Sequence, residues 1–265
     1  MKLFLSADIE GTTGIALWSE TENGHSRYPY FARQMTREVS AACEGATQAG
    51  CEEILIKDAH DSACNLIPNE LPENIRLFRG WGSDSLSMMA GLDSSFDGVF
   101  FTGYHSAAGT DANPLAHTLN LKNNWIRING QIASELMINS LTAAYFGVPV
   151  RLVTGDKGLC DWINTINPHI ETVAVSEGVG HGSISIHPDR AVRLIREAAV
   201  RAALKDGSDC MFPFPDHFRV EINFKEHYRA KNGAEYPGSI QVDTHTVAFE
   251  TPDYLQALKF IDFVH

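Results

Sequence analysis

Short apolar runs that end in acidic or histidine-bearing turns set the rhythm of the first half of the chain. The first, Lys2–Ala7 (KLFLSA), passes straight into Asp8, Ile9, Glu10 and Gly11. Its length and nearly continuous apolar character predict a buried strand. Glu53–Lys57 (EILIK), followed by Asp58, Ala59 and His60, predicts a second, and Ile75–Phe78 a third. Val99–Thr102 (VFFT) predicts a fourth, ahead of Gly103, Tyr104 and His105. Val148–Val153 predicts a fifth that runs into a loop, TGDKG, and Val173–Val175 a sixth. Between the first two runs, Tyr30–Gln48 repeats alanines and apolar residues at helical spacing, and Gly50 supplies the stop. Strand, helix and strand in that order make a βαβ unit, so the expected class is α/β, an open and mostly parallel sheet flanked by helices.

Elsewhere the periodicity changes. Thr12–Tyr30 is a polar and aromatic loop long enough to line a substrate or act as a lid, and Ser85–Leu92 predicts a short helix. Trp125–Ile132 alternates around Asn129-Gly130, a strong hairpin signal. Ser134 is placed to cap a helix that begins ELMINSLTAAYFG and puts Glu135 in its first turn. In the last third, Pro188–Leu204 is amphipathic with proline at its start. Phe218–Phe224 and Ser239–Glu250 alternate with period two, and Tyr254–Val264 predicts a closing helix. The expected organisation is an α/β metal-binding catalytic domain over residues 1–180 and a smaller α+β subdomain over 181–265 that contributes to oligomerisation.

Chemistry gathers at the strand ends. Residues two apart on a strand share a face, so Asp8 and Glu10 aim two carboxylates at one place. Buried like charges this close either share a proton or neutralise a cation. His60, His105 and Glu135 supply the complementary ligand types, and His117 lies nearby in sequence. Open α/β sheets bind ligands outside the carboxyl ends of their strands, where these residues are expected. A mixed carboxylate and imidazole set suits zinc, manganese or iron rather than calcium or magnesium. Five ligands exceed one tetrahedral ion, whereas two metals about 3.5–4 Å apart with a bridging carboxylate would use them all. Singly, each has an ordinary reading: turn carboxylates at Asp8 and Glu10, a capping His60, an interior His105, and helix-dipole complementarity at Glu135. Convergence on one rim is what favours a site.

Composition narrows the partners. A net charge of −12 without a basic cluster argues against nucleic acid and anionic membranes and leaves small substrates. No stretch is long enough to span a bilayer, and the first apolar run is too short for a signal-peptide core. Five scattered cysteines without a CxxC pair point to a reducing, cytoplasmic setting. Gly178, Gly180 and Gly182 form a GxGxG with no helix behind it and are expected in a loop, and Cys64 near His60 is expected to pack rather than react. There is no GxSxG elbow and no P-loop.

Taken together, SADIEGTTG, KDAH, TGYHSA followed by AHTLN, and NGQIASELMIN resemble the bacterial zinc D-aminopeptidases of the dipeptide-transport operon type. The similarity is clear over residues 1 to about 155 and fainter beyond. It implies that Asp8, Glu10, His60, His105 and Glu135 bind two zinc ions, with Asp8 bridging, and that His117 is catalytic. It further implies release of an N-terminal D-amino acid from short peptides by a ring-stacked homodecamer. The sequence departs from that pattern at residues 15–28, with Trp18, His25 and Tyr28, and at 106–116, with Asp111, Asn113 and Pro114. Loops of this kind set substrate preference.

The expected reaction is metal-assisted amide hydrolysis with His117 as general acid or base. Two other classes compete. One is a different binuclear hydrolase, acting as a deacylase of other amides or as a phosphoesterase. The other is a non-catalytic metal or amino-acid binding protein on the same fold.

Overall fold

In chain order the computed structural model, which describes residues 1–265, contains β1 (Lys2–Ala7), α1 (Tyr28–Gln48), β2 (Glu53–Asp58), β3 (Ile75–Phe78) and β4 (Gly98–Tyr104). There follow β5 (Asn123–Ile128), β6 (Gln131–Ile132), α2 (Glu135–Tyr145), β7 (Val150–Asp156), α3 (Lys157–Ile166), β8 (Glu171–Val179) and β9 (Gly182–Ser185). The remainder comprises α4 (Pro188–Leu204), β10 (Phe218–Phe224), α5 (His227–Gly233), β11 (Ile240–Gln241), β12 (Thr246–Thr251) and α6 (Tyr254–Val264).

Seven strands form the larger sheet in the order β3-β2-β1-β4-β7-β8-β9, parallel except for the β8–β9 hairpin. β1 lies inside it between β2 and β4, and its alternation divides the interior. Leu3 and Leu5 face a core shared with α1 and α4, whereas Phe4 faces the core beneath the second sheet. Small residues let α1 and α4 approach closely, since a Cβ on Gly45 would lie 2.3 Å from the Arg196 carbonyl oxygen. Because the chain moves outward from β1 to β2 and β3 and then crosses to β4 on the other side, a topological switch point falls between β1 and β4.

Five antiparallel strands, β11-β12-β10-β5-β6, form the second sheet. Asn129 and Gly130, both at positive φ, make the β5–β6 turn expected of an Asn-Gly pair. The two sheets do not follow a linear division. A boundary after residue 180 falls inside the β8–β9 hairpin of the larger sheet, α4 packs on α1, and the smaller sheet draws β5 and β6 from the first half. The physical reason is that strands join where an apolar face must be covered, whatever their distance along the chain.

Other local differences are instructive. TGDKG is no loop: β7 continues to Asp156, which accepts a hydrogen bond from Leu159 N and so caps α3 without a linker. α5 and β9 were not foreseen, and the expected helix at Ser85–Leu92 is a single 3₁₀ turn at Ser87–Met89. Gly178, Gly180 and Gly182 sit on the β8–β9 hairpin and its turn.

Candidate metal centre and cleft

At the switch point the strand ends lie abreast. Ala7 is in register with Asp58 of β2 and Thr102 of β4, so the residues that follow each strand emerge side by side. Asp8 N donates to Thr102 O (2.9 Å), and Gly11 N donates to Gly103 O (2.8 Å). Gly103 needs its φ of +68°, and a Cβ there would stand 2.2 Å from the Asp8 carbonyl oxygen. That close approach seats Asp8 and Glu10 beside His105. Glu135 arrives from the first turn of α2, whose Ser134 side chain accepts from Met137 N. His117 comes from the loop between β4 and β5.

All six residues meet. His60 Nδ1 lies 3.3 Å from Asp8 Oδ1 and 3.1 Å from Glu10 Oε2. His105 Nε2 lies 3.5 Å from Asp8 Oδ2 and 3.2 Å from Glu135 Oε2. Asp8 thus turns one oxygen to each histidine. His117 Nε2 stands 3.7 Å from Glu135 Oε1 and 4.0 Å from Glu10 Oε1, its ring stacked on His105 at 4.4 Å between centroids. Three overlapping groups have ligand atoms close enough to hold an ion: Asp8, Glu10 and His60; Asp8, His105 and Glu135; and Glu10, His105 and His117.

The chain matches the family model of the D-aminopeptidases over residues 1–263. It is 31% identical to a D-aminopeptidase of Bacillus subtilis (strain 168) over 98% of its own length and 94% of that protein's. The chain belongs to the D-aminopeptidase family. Its structure is similar to that of the Zn-dependent D-aminopeptidase DppA from Bacillus subtilis, described as a self-compartmentalizing protease. The TM-score is 0.92 at 29% identity, covering 100% of this chain and 96% of that one. The α/β architecture and the assignment to a peptidase family therefore hold across the whole chain, including the C-terminal third, where the resemblance in sequence is faintest.

Each of the three histidines is oriented by a backbone carbonyl. A carbonyl oxygen can only accept, so His60 Nε2 donates to Thr21 O (3.0 Å), His105 Nδ1 to Ser106 O (3.0 Å) and His117 Nδ1 to Leu115 O (2.9 Å). Each contact fixes the ring and turns the other nitrogen inward, the usual outer support of a metal-binding imidazole. Asp8 Oδ2, both Glu10 carboxylate oxygens and His105 Nε2 are buried without hydrogen-bond partners. Native interiors rarely leave such atoms unpaired, and a cation of the imidazole and carboxylate type fits them.

Charge reinforces that fit. Burial, together with the Glu10 charge, pushes the Asp8 carboxyl well above the usual carboxylate range. At Glu10 burial is outweighed by the His60 imidazole, which holds the group well below its ordinary value. Glu135 is held at about 2, its burial outweighed by His105. Against their own burial, His60 is raised by Glu10 and His105 by Glu135. Protons on these two rings are what the carboxylates attract when no other cation balances them. His117 goes the other way, lowered by burial and then by the His105 charge, so its ring is neutral near pH 7.

The cluster forms the floor of a cleft of about 640 Å³. Trp18 stands at one wall, edge-on to the His117 ring at 5.2 Å, and Trp81 lines the same cleft. Two further carboxylates support the site. Asp58 accepts from Asn65 N, Asn65 Nδ2 and Leu66 N and so folds the turn that carries His60. Asp156 accepts from Ser106 N, Ser106 Oγ and Asn113 Nδ2 and so anchors the loop after His105. Leu119, at φ +64°, donates its backbone N–H to Glu135 Oε1 (2.7 Å). The strand-end acids of KDAH and TGDKG were the available signal for the first two; no sequence pattern marks Leu119. Cys64 is exposed and does not line the cleft.

Proposed function

We propose that the chain is a zinc aminopeptidase with two ions per subunit, releasing the N-terminal residue, a D-amino acid, from short peptides. The observation that carries the reading is the pair of ligand groups that share Asp8, one oxygen of which faces His60 and the other His105. Asp8, Glu10 and His60 would hold one ion, Asp8, His105 and Glu135 the other, with Asp8 as the bridge. Zinc bound there supplies Lewis-acid polarisation of the scissile carbonyl and acidifies a water at neutral pH.

The chain's own groups do the rest. Neutral His117 presents a free Nε2 to the floor while its Nδ1–H is tied to Leu115 O, so it can accept a proton and pass it to the departing amine. The stacked His105 ring and the edge of Trp18 limit its rotation. No lysine or arginine lines the cleft, which suits a substrate with a free ammonium and disfavours a phosphoester. No helix is long and apolar enough to cross a membrane. The proposal includes a homodecamer to which residues 181–265 contribute, working in the cytoplasm; the self-compartmentalizing relative and the scattered free cysteines support this part.

Metal analysis combined with a panel of dipeptides carrying D- or L-residues at the N-terminus, beside a phosphodiester control, tests the whole. Two zinc ions per chain and cleavage confined to D-peptides are expected. Cleavage of the phosphodiester alone overturns the peptidase reading, and tight zinc binding without turnover on any peptide makes the protein a binder.

A further inference from the structure

Trp81 is held in a way that a surface tryptophan does not require. It is 43% exposed, on the segment after β3, and lines the cleft together with Glu10, His60 and His117. Its indole N–H donates to the Asp61 carbonyl oxygen at 2.8 Å. Over its ring, 4.3 Å from the centroid, lies the ammonium of Lys57, a side chain with no solvent exposure that also donates to the carbonyl oxygens of Asp58 and Gly80. The ring is thereby fixed from its edge and from one face, while the remainder borders the cavity. A buried lysine is a costly support, and a large apolar surface left in a binding cavity marks a contact site.

Resting on the aminopeptidase reading, we propose that Trp81 is a specificity residue, a platform on which an aromatic side chain of the substrate stacks. With one face of the indole held by Lys57, an offset or edge-on aromatic ring is favourable against the part that borders the cavity, and aromatic side chains are therefore preferred over alanine at this platform.

The test compares kcat/KM of the zinc-loaded protein for dipeptides that begin with D-Phe and D-Ala, alongside binding of free D-phenylalanine measured by calorimetry. Wild type is expected to favour D-Phe. In Trp81→Ala the D-Phe to D-Ala ratio is expected to fall about fivefold, mostly through KM, with D-phenylalanine binding weakened to a similar extent. Trp81→Phe should restore most of the ratio, and unchanged zinc content and thermal unfolding would show that Trp81→Ala still folds. An unaltered ratio in Trp81→Ala, or a wild-type preference for D-Ala, overturns the platform. Should no peptide be cleaved, the peptidase reading fails by itself. The platform is then judged by D-phenylalanine: binding lost in Trp81→Ala supports it, and no binding to wild type overturns it.

Discussion

Two pairs of buried carboxylates lie at the same edge of the larger sheet and have opposite characters. Asp58 and Asp156, at the ends of β2 and β7, are saturated with hydrogen bonds, three from residues 65–66 to the first and four from residues 106, 113 and 159 to the second. Asp8 and Glu10, just past β1, are equally buried, yet Asp8 Oδ2 and both Glu10 oxygens find no donor. All four are buried carboxylates at or just past the end of a strand. What differs is whether surrounding segments fill the oxygens with donors: Asp156 takes three of its four from residues 106 and 113, whereas Asp8 takes only Ile9 N, at Oδ1. Where they do, the carboxylate is a structural pin. Where they do not, the charge is left facing histidines, and the proposed site arises from what the backbone withholds.

That contrast can be broken most directly at Asp8. Asp8→Ala should lose more metal than any other single-ligand variant and abolish turnover, as read by elemental analysis and peptide hydrolysis. Metal content equal to that of the other ligand variants would refute the bridge. For His117→Ala the contrast predicts normal zinc loading with kcat reduced about 10²–10⁴-fold. Full turnover in that variant would remove it from the mechanism.

Asp156→Ala should act on stability rather than on chemistry. Four donors lose their acceptor, so unfolding should become easier by about 3 kcal/mol in denaturant titration, while the protein that remains folded still binds zinc. Loss of zinc at full stability would place Asp156 with the other pair. Metal affinity sharpens the comparison by pH. His60 and His105, raised by Glu10 and Glu135 respectively against their own burial, hold protons that an incoming ion must displace. Apparent zinc affinity should therefore rise with pH across the neutral range, by about tenfold per pH unit for each proton displaced, and proton release should be seen in calorimetry in two buffers. A flat profile would mean that the rings are already neutral. The smallest effect is expected at Trp18. Losing its edge contact in Trp18→Leu should alter kcat about threefold and move the His117 limb of the pH profile, with zinc content unchanged.

Much of this was legible from local pattern. Pro188–Leu204, Phe218–Phe224 and Tyr254–Val264 are present with the predicted limits, because helical spacing and strict alternation are written in consecutive residues. α3 was hidden because Asp156 serves at once as strand end and helix cap, leaving no linker for the turn-like TGDKG to describe. The mixed origin of the second sheet was hidden as well. Strand pairing between β5 and β10, about ninety residues apart, is decided by which apolar faces must cover one another in the assembled fold.

By itself the sequence determined the site's chemical content: two acids on one strand face, histidines after two other strands, a glutamate in a capped helix turn and a histidine in the loop between. These are local facts of residue type and periodicity. Only the tertiary structure decided that Asp8 turns an oxygen to each of two histidines, that Asp58 and Asp156 are pins rather than ligands, and that Trp81 faces the same cleft. Those outcomes depend on where backbone donors from distant segments come to rest, and hydrogen-bond satisfaction is a property of the assembled fold that no single stretch of chain encodes.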